Sequence, residues 1–191
     1  MLWSKLSSST VDSFPCPHVA LMVLRDDGRV GFPGGGVDPG ETVLQGLERE
    51  LREEIGAPEG LARPRASDMV CITRRRESKC LLHFYAIEVP EQDLRAIERA
   101  AVDCRDWGKE TFGVLRVPLC TVARPDRPLK KLGLPMFLGN NFAFNSREQL
   151  LEGVLARELL TAREVREALL LAEARHGVLQ GTAGDCVRAG R

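Results

Sequence analysis

The chain has 191 residues with 27 basic and 27 acidic side chains, so its formal charge is zero. That length fits one domain with a full core, and the balance excludes a global electrostatic grip on nucleic acid. The six cysteines (Cys16, Cys71, Cys80, Cys104, Cys120 and Cys186) form no C-x-x-C pair, which excludes a zinc framework or a secreted disulfide scaffold and reads as reduced thiols of an intracellular protein.

Residues 1–14 are Ser-rich around Trp3. They are too short of apolar side chains for a signal peptide and are expected to be loosely ordered. His18 to Arg25 is an apolar, β-forming run bounded by Asp26-Asp27-Gly28. With Arg29 to Phe32 beyond, it reads as a hairpin.

The stretch from Gly31 to Ala57 joins two local grammars. Phe32-Pro33-Gly34-Gly35-Gly36 is a run of turn residues, whose glycines allow close backbone approach. Glu41 to Ile55 then carries Leu44, Leu47, Leu51 and Ile55 at helical spacing, and Gly56 stops the helix. Glu50, Glu53 and Glu54 stand at i, i+3 and i+4, on one face of that helix. A charged run on a helix is ordinarily a solvated face. Carboxylates this close, however, raise one another's pKa unless a cation sits among them. Hard oxygen ligands of this kind suit Mg²⁺ or Mn²⁺.

Beyond the helix, Ala57 to Ala66 is an irregular link. Met69–Thr73 and Cys80–Val89 form a second hairpin around a polar turn that holds Arg74-Arg75-Arg76. Glu91 to Cys104 has helical spacing and Thr111 to Leu119 alternates like a strand. From Thr121 onward, Pro125, Pro128 and Pro135 mark a loop. Ser146-x-x-Gln149 and Thr161-x-x-Glu164 read as capping boxes opening two terminal helices, the second closed by Gly177. This order suits a mixed sheet between helical layers. Boundaries follow at 1–14 for the loose segment, 15–178 for the domain and 179–191 for a tail. No apolar run reaches transmembrane length.

Gly35, Glu41, Arg49-Glu50-Leu51, Glu53-Glu54 and Gly56 stand at the spacings G-x5-E-x7-R-E-U-x-E-E-x-G-U, where U is a bulky aliphatic. The stretch therefore resembles the Nudix box, with Ala57 the one departure. GRVGFPGGGVD, LLHFYAIEV, FGVLRVPL, LPMFL and SREQLLEGVL extend the likeness from Pro17 to Leu155. Together they are similar to the Nudix motif 16 subfamily, the U8 snoRNA-decapping and inosine diphosphatase enzymes. The resemblance implies an α/β fold, the Nudix α/β/α sandwich with a mixed β-sheet. It further implies hydrolysis of (deoxy)inosine diphosphate and of capped RNA with Mg²⁺ or Mn²⁺. A homodimer is implied too, in the nucleus (nucleolus and nucleoplasm) and the cytoplasm. Carried over by motif, Glu50 and Glu54 would ligate metal, Glu53 would be a further ligand or the base, and the Gly34 carbonyl would complete the shell. Arg25, Phe32 and Gln149 would line the substrate pocket. Relatives begin with a further strand bearing H-x-x-H, which Met1 to Pro15 does not match, and carry a histidine in the hairpin loop that would fall near Thr73. The box leaves open another nucleotide derivative, such as ADP-ribose. A related non-catalytic binding module, which resembles this subfamily without its metal carboxylates, is the alternative from another class.

Overall fold

The run HVALMVLR is apolar through its middle because the strand it forms is covered on both faces. In a computed structural model of the chain, the elements follow in the order β1 (Leu2–Lys5), β2 (Thr10–Val11), β3 (Phe14–Pro15), β4 (His18–Arg25), β5 (Val30–Gly31) and α1 (Val43–Ile55). Next come β6 (Met69–Arg74), β7 (Leu81–Tyr85), β8 (Ile87–Glu88), α2 (Glu91–Ala100) and β9 (Thr111–Pro118). The chain ends through β10 (Thr121–Arg124), β11 (Arg127–Gly133), α3 (Leu134–Phe137), α4 (Ser146–Ala156) and α5 (Ala162–Thr182). The structure describes residues 1–182 apart from 9, 12, 75–79 and 125–126, without the side chains of 124–130 and 175–182. Arg75, Arg76, Cys186 and, of the tail expected over 179–191, residues 183–191 therefore lie outside the described residues.

β4 is the spine of the main sheet. It pairs antiparallel with β9 along one edge, from Val19↔Pro118 to Arg25↔Thr111. On its other edge β1 and β5 follow one another, with Leu2↔Leu21 and Val23↔Gly31 in register. β8 then joins β1 in parallel, which makes the sheet mixed. Because strand side chains alternate, Val19, Leu21 and Val23 meet Leu51 and Ile55 of α1 and Leu94 and Ile97 of α2. Ala20 and Met22 face the opposite way, towards Leu150 and Val154 of α4 and Val165 and Ala168 of α5. The sheet is thus sandwiched in an α/β/α arrangement.

The first residues correct the expectation of a loose, disordered segment at 1–14. Leu2 and Trp3 are buried in the two opposite cores, and the Ile87 and Val89 amides donate to the Met1 and Trp3 carbonyls at 2.8 and 2.9 Å. Four residues are too few to show a strand period, and their partners lie far off in sequence. Three other readings shift. The proline-punctuated stretch after Thr121 forms the β10–β11 hairpin, where two-stranded edges tolerate proline. Ser146 is a buried residue inside α4 rather than its cap, which is Asn145. Helix α5 also runs through Gly177 to Thr182, since an internal glycine weakens a helix without ending it. The Thr161–Glu164 box forms as read, with the Glu164 amide donating to Thr161 Oγ1 at 3.2 Å. No helix among the described residues is long and apolar enough to cross a membrane.

Candidate functional site

Helix α1 is fixed at both ends by local chemistry. Thr42 caps it, and Gln45 returns the contact to the Thr42 amide at 2.8 Å, a complete capping box. Gly56 closes it in the left-handed region at φ +61°. Between β5 and α1 the glycine loop folds back onto the helix. A Cβ on Gly35 would lie only 2.5 Å from Glu50 Oε1, so the loop reaches this position only because the side chain is absent.

Arg49 binds loop and helix together. Its guanidinium donates to Glu41 at 3.0 Å, to Glu50 at 2.9 Å, to Glu53 at 3.1 Å and to the Gly36 carbonyl at 2.9 Å. Glu53 also pairs with Arg105, from the stretch ahead of β9. Glu54 sits deeper. It is 4% exposed and accepts the Gly34 amide at 2.9 Å. Burial pushes its carboxyl up to about 7, against the pull of the Gly34 hydrogen bond, and the charges of Glu50 and Glu110 add to the rise. Glu50 is raised as well, first by burial, with Arg49 opposing.

The three predicted carboxylates therefore share one face, but their oxygens are not gathered at a point. Among the described residues no three His, Cys, Asp or Glu side chains stand close enough to hold one ion, because Glu50 and Glu53 turn to Arg49. The donor set nevertheless fits a hard divalent cation. It offers only oxygens, and it leaves Glu54 a buried carboxylate whose desolvation is not offset by a close positive partner. Gly34 lies beside Glu54 through its amide, so its carbonyl belongs to the same loop.

Of the predicted pocket residues, Arg25 comes closest to this cluster. It ends β4 opposite Thr111, its charge acts on Glu54, and it lies 3.5 Å from Asp27. Its Cδ would be 3.2 Å from a Cβ on Gly31, which Ala143 and Ser146 also flank. Phe32 is half-buried with its ring 5.2 Å from that of Phe84. Gln149 is half-buried on α4, one turn beyond Ser146. The sequence reading missed Glu110 and Arg105. Both lie fifty or more residues beyond the helix and outside any periodic pattern; only the fold brings Asp106 to donate its amide to the Glu53 carbonyl at 3.0 Å.

Residues 1–160 match the Nudt16-like family, described as U8 snoRNA-decapping enzyme-like. The chain is 39% identical to a U8 snoRNA-decapping enzyme of Xenopus laevis over 88% of this chain and 78% of that one. It is 40% identical to a mouse U8 snoRNA-decapping enzyme over 76% and 73%. A mouse Tudor-interacting repair regulator protein is 33% identical over 88% and 77%. Among solved structures, a mutT/nudix family protein from Listeria innocua is similar at 17% identity and TM-score 0.48, over 84% of this chain and 93% of that one.

Proposed function

The chain belongs to the Nudt16-like family of Nudix hydrolases, and we propose that it cleaves the diphosphate bridge of (deoxy)inosine diphosphate and of capped RNA. The products would be inosine monophosphate from the first and a 5′-monophosphate end from the second. The observation that carries this reading is the buried Glu54 carboxylate, held beside Glu50 and Glu53 by the Gly34 amide and the Arg49 guanidinium. A non-catalytic module has no use for such an arrangement, which separates this chain from the adaptor reading that the Tudor-interacting relatives raise.

Glu50, Glu53, Glu54 and the Gly34 carbonyl are the residues that would hold Mg²⁺ or Mn²⁺. When bound, such a cation neutralises charge on the phosphate oxygens and lowers the pKa of the attacking water. A glutamate of the cluster, Glu53 by its half-exposed position, takes the water's proton. Arg49 keeps the carboxylates in place rather than touching substrate. Arg25, at the end of β4, supplies positive charge where a phosphate or nucleoside would enter. Phe32 and Gln149 would line the base side of the pocket. The first strand carries no H-x-x-H pattern, so recognition of the base falls to other residues. A homodimer, and residence in the nucleus and cytoplasm, complete the proposal.

Neutral overall charge implies that RNA is gripped at its cap and by local basic groups, with only a moderate dependence on salt. The test offers inosine diphosphate, capped RNA, ADP-ribose and nucleoside triphosphates at equal concentration with Mn²⁺, and identifies the products. Inosine diphosphate and capped RNA should be consumed first. A clear preference for ADP-ribose or triphosphates would overturn the substrate assignment and leave the hydrolase standing.

A further inference from the structure

Cys16 and Cys120 are 104 residues apart by their numbering, and the sheet brings them side by side. Cys16 stands two residues ahead of β4 and Cys120 two residues after β9, at the paired ends of those strands. The last rung there is the Leu119 amide donating to the His18 carbonyl at 3.0 Å. The Cys16 thiol lies 3.7 Å from that same carbonyl, and its sulfur takes hydrogen bonds from the Cys120 thiol and the Leu119 amide. Cys16 is fully buried and Cys120 half-buried. Cys120 is also held in place, because the Leu134 amide donates to its carbonyl at 2.8 Å. A Cβ on Gly133 would come within 3.2 Å of its sulfur.

We infer that Cys16 and Cys120 are a reversible dithiol–disulfide couple, a redox-modification site at the end of the sheet away from the carboxylates. The other described thiols with assigned contacts face oxygen instead: Cys71 donates to Glu152 at 2.9 Å and Cys104 to the Glu54 carbonyl at 3.2 Å. The two hydrogen bonds that Cys16 receives hold its thiol below the usual range, Cys120's being the larger influence, so the pair carries a thiolate more readily than an isolated thiol. Burial and that same S–H···S contact push the Cys120 thiol up, so Cys120 keeps its proton and the thiolate of the pair is that of Cys16.

With a peroxide as oxidant, that thiolate attacks one oxygen, the O–O bond breaks and the leaving oxygen departs as water once protonated. This leaves a sulfenic acid. The partner sulfur then attacks the sulfenyl sulfur, the S–S bond forms, the S–O bond breaks and a second water leaves. Two thiols are oxidised by two electrons and one peroxide is reduced to two waters.

The consequence is stability rather than turnover. A disulfide here closes a loop of about a hundred residues that contains the whole of β4, α1 and β9. Loops of that size restrict the unfolded chain strongly. Arg25 marks the other end of β4, roughly 25 Å away at strand rise, so the carboxylate cluster is untouched.

The experiment treats the full reduced chain with a slight excess of hydrogen peroxide, blocks free thiols with N-ethylmaleimide, denatures it and digests it with trypsin. The peptides 6–25 and 117–130 should appear joined, two hydrogens lighter than their sum, and separate again with dithiothreitol. The Tm of the oxidised chain should rise by roughly 5–15 °C while hydrolysis changes less than about twofold, and Cys120→Ser should abolish both the linked peptide and the shift. Recovery of Cys16 and Cys120 each carrying maleimide after oxidation, or of either joined to a different cysteine, would overturn the proposal.

Discussion

The Gly34 amide donates to the Glu54 carboxylate at 2.9 Å across twenty residues of sequence, and so places the glycine loop directly over the acidic face of α1. The same carboxylate is buried enough that its pKa rises from 4.5 to about 7. A raised carboxyl binds its proton more tightly in the folded state. Its contribution to stability is therefore complete below pH 4.5 and lost as the pH rises through about 7. In the presence of a chelator, the chain should be more stable near pH 5 than near pH 8 by up to about 3 kcal/mol from this group. Glu54→Gln removes the titration and keeps an oxygen for the Gly34 amide. Subtracting the variant's Tm-against-pH curve from the wild-type curve isolates the effect. Parallel curves would mean that Glu54 is ionised throughout, and added Mg²⁺ at pH 8 should restore wild-type stability.

Glu53 differs from its neighbour in being less deeply buried, with its side chain 21% exposed, and in pairing with Arg49 and Arg105. Glu53→Gln should leave the Tm within a few degrees, because surface ion pairs contribute little. Turnover should fall by at least about 10²-fold, the scale at which both proton transfer and metal charge act. A rate unchanged at saturating Mg²⁺ would remove Glu53 from the chemistry.

Gly35 tests whether close approach of the loop matters on its own. A methyl group there would overlap the Glu50 carboxylate at 2.5–2.9 Å, and since that is the end of a flexible side chain, the carboxylate swings away before the fold breaks. Gly35→Ala should thus weaken metal-dependent hydrolysis by about tenfold or more, with circular dichroism and Tm close to wild type. Equal loss of stability and activity would indicate that the loop itself had unfolded.

Much of this site was legible because its parts are local. The helix, its Gly56 stop and the shared face of Glu50, Glu53 and Glu54 follow from spacing within fifteen residues. The turn chemistry of Gly34-Gly35 sits just ahead of them. What escaped the sequence depends on pairing between distant segments. Glu110 and Arg105 join the cluster through the approach of the stretch before β9 to the end of α1. Ser146 looked like a cap, yet burial against Gly31 makes it part of the helix instead. The face of each apolar residue in β4 was equally unreadable, since a strand covered on both sides shows no alternation.

The N-terminal strand is where the sequence misled most, and it supports the strongest stability prediction. Leu2 is 1% exposed, lies opposite Leu21 in β4 and Ile87 in β8, and packs in the core shared with α1 and α2. If residues 2–5 were a loose segment, Leu2→Ala would be silent. As a central position between two strands, it should cost about 2–4 kcal/mol, the usual range for emptying a buried leucine site. For a chain of this size that lowers the Tm by roughly 5–15 °C. Lys5→Ala, at the exposed end of the same strand, provides the control and should shift it little. The carboxylate cluster lies on α1, which rests on that same core, so Leu2→Ala should also reduce turnover once the temperature approaches its new Tm, while matching wild type well below it. Thermal melts of both variants beside rate measurements at two temperatures decide the matter, and a Leu2→Ala melt indistinguishable from wild type would remove β1 from the sheet.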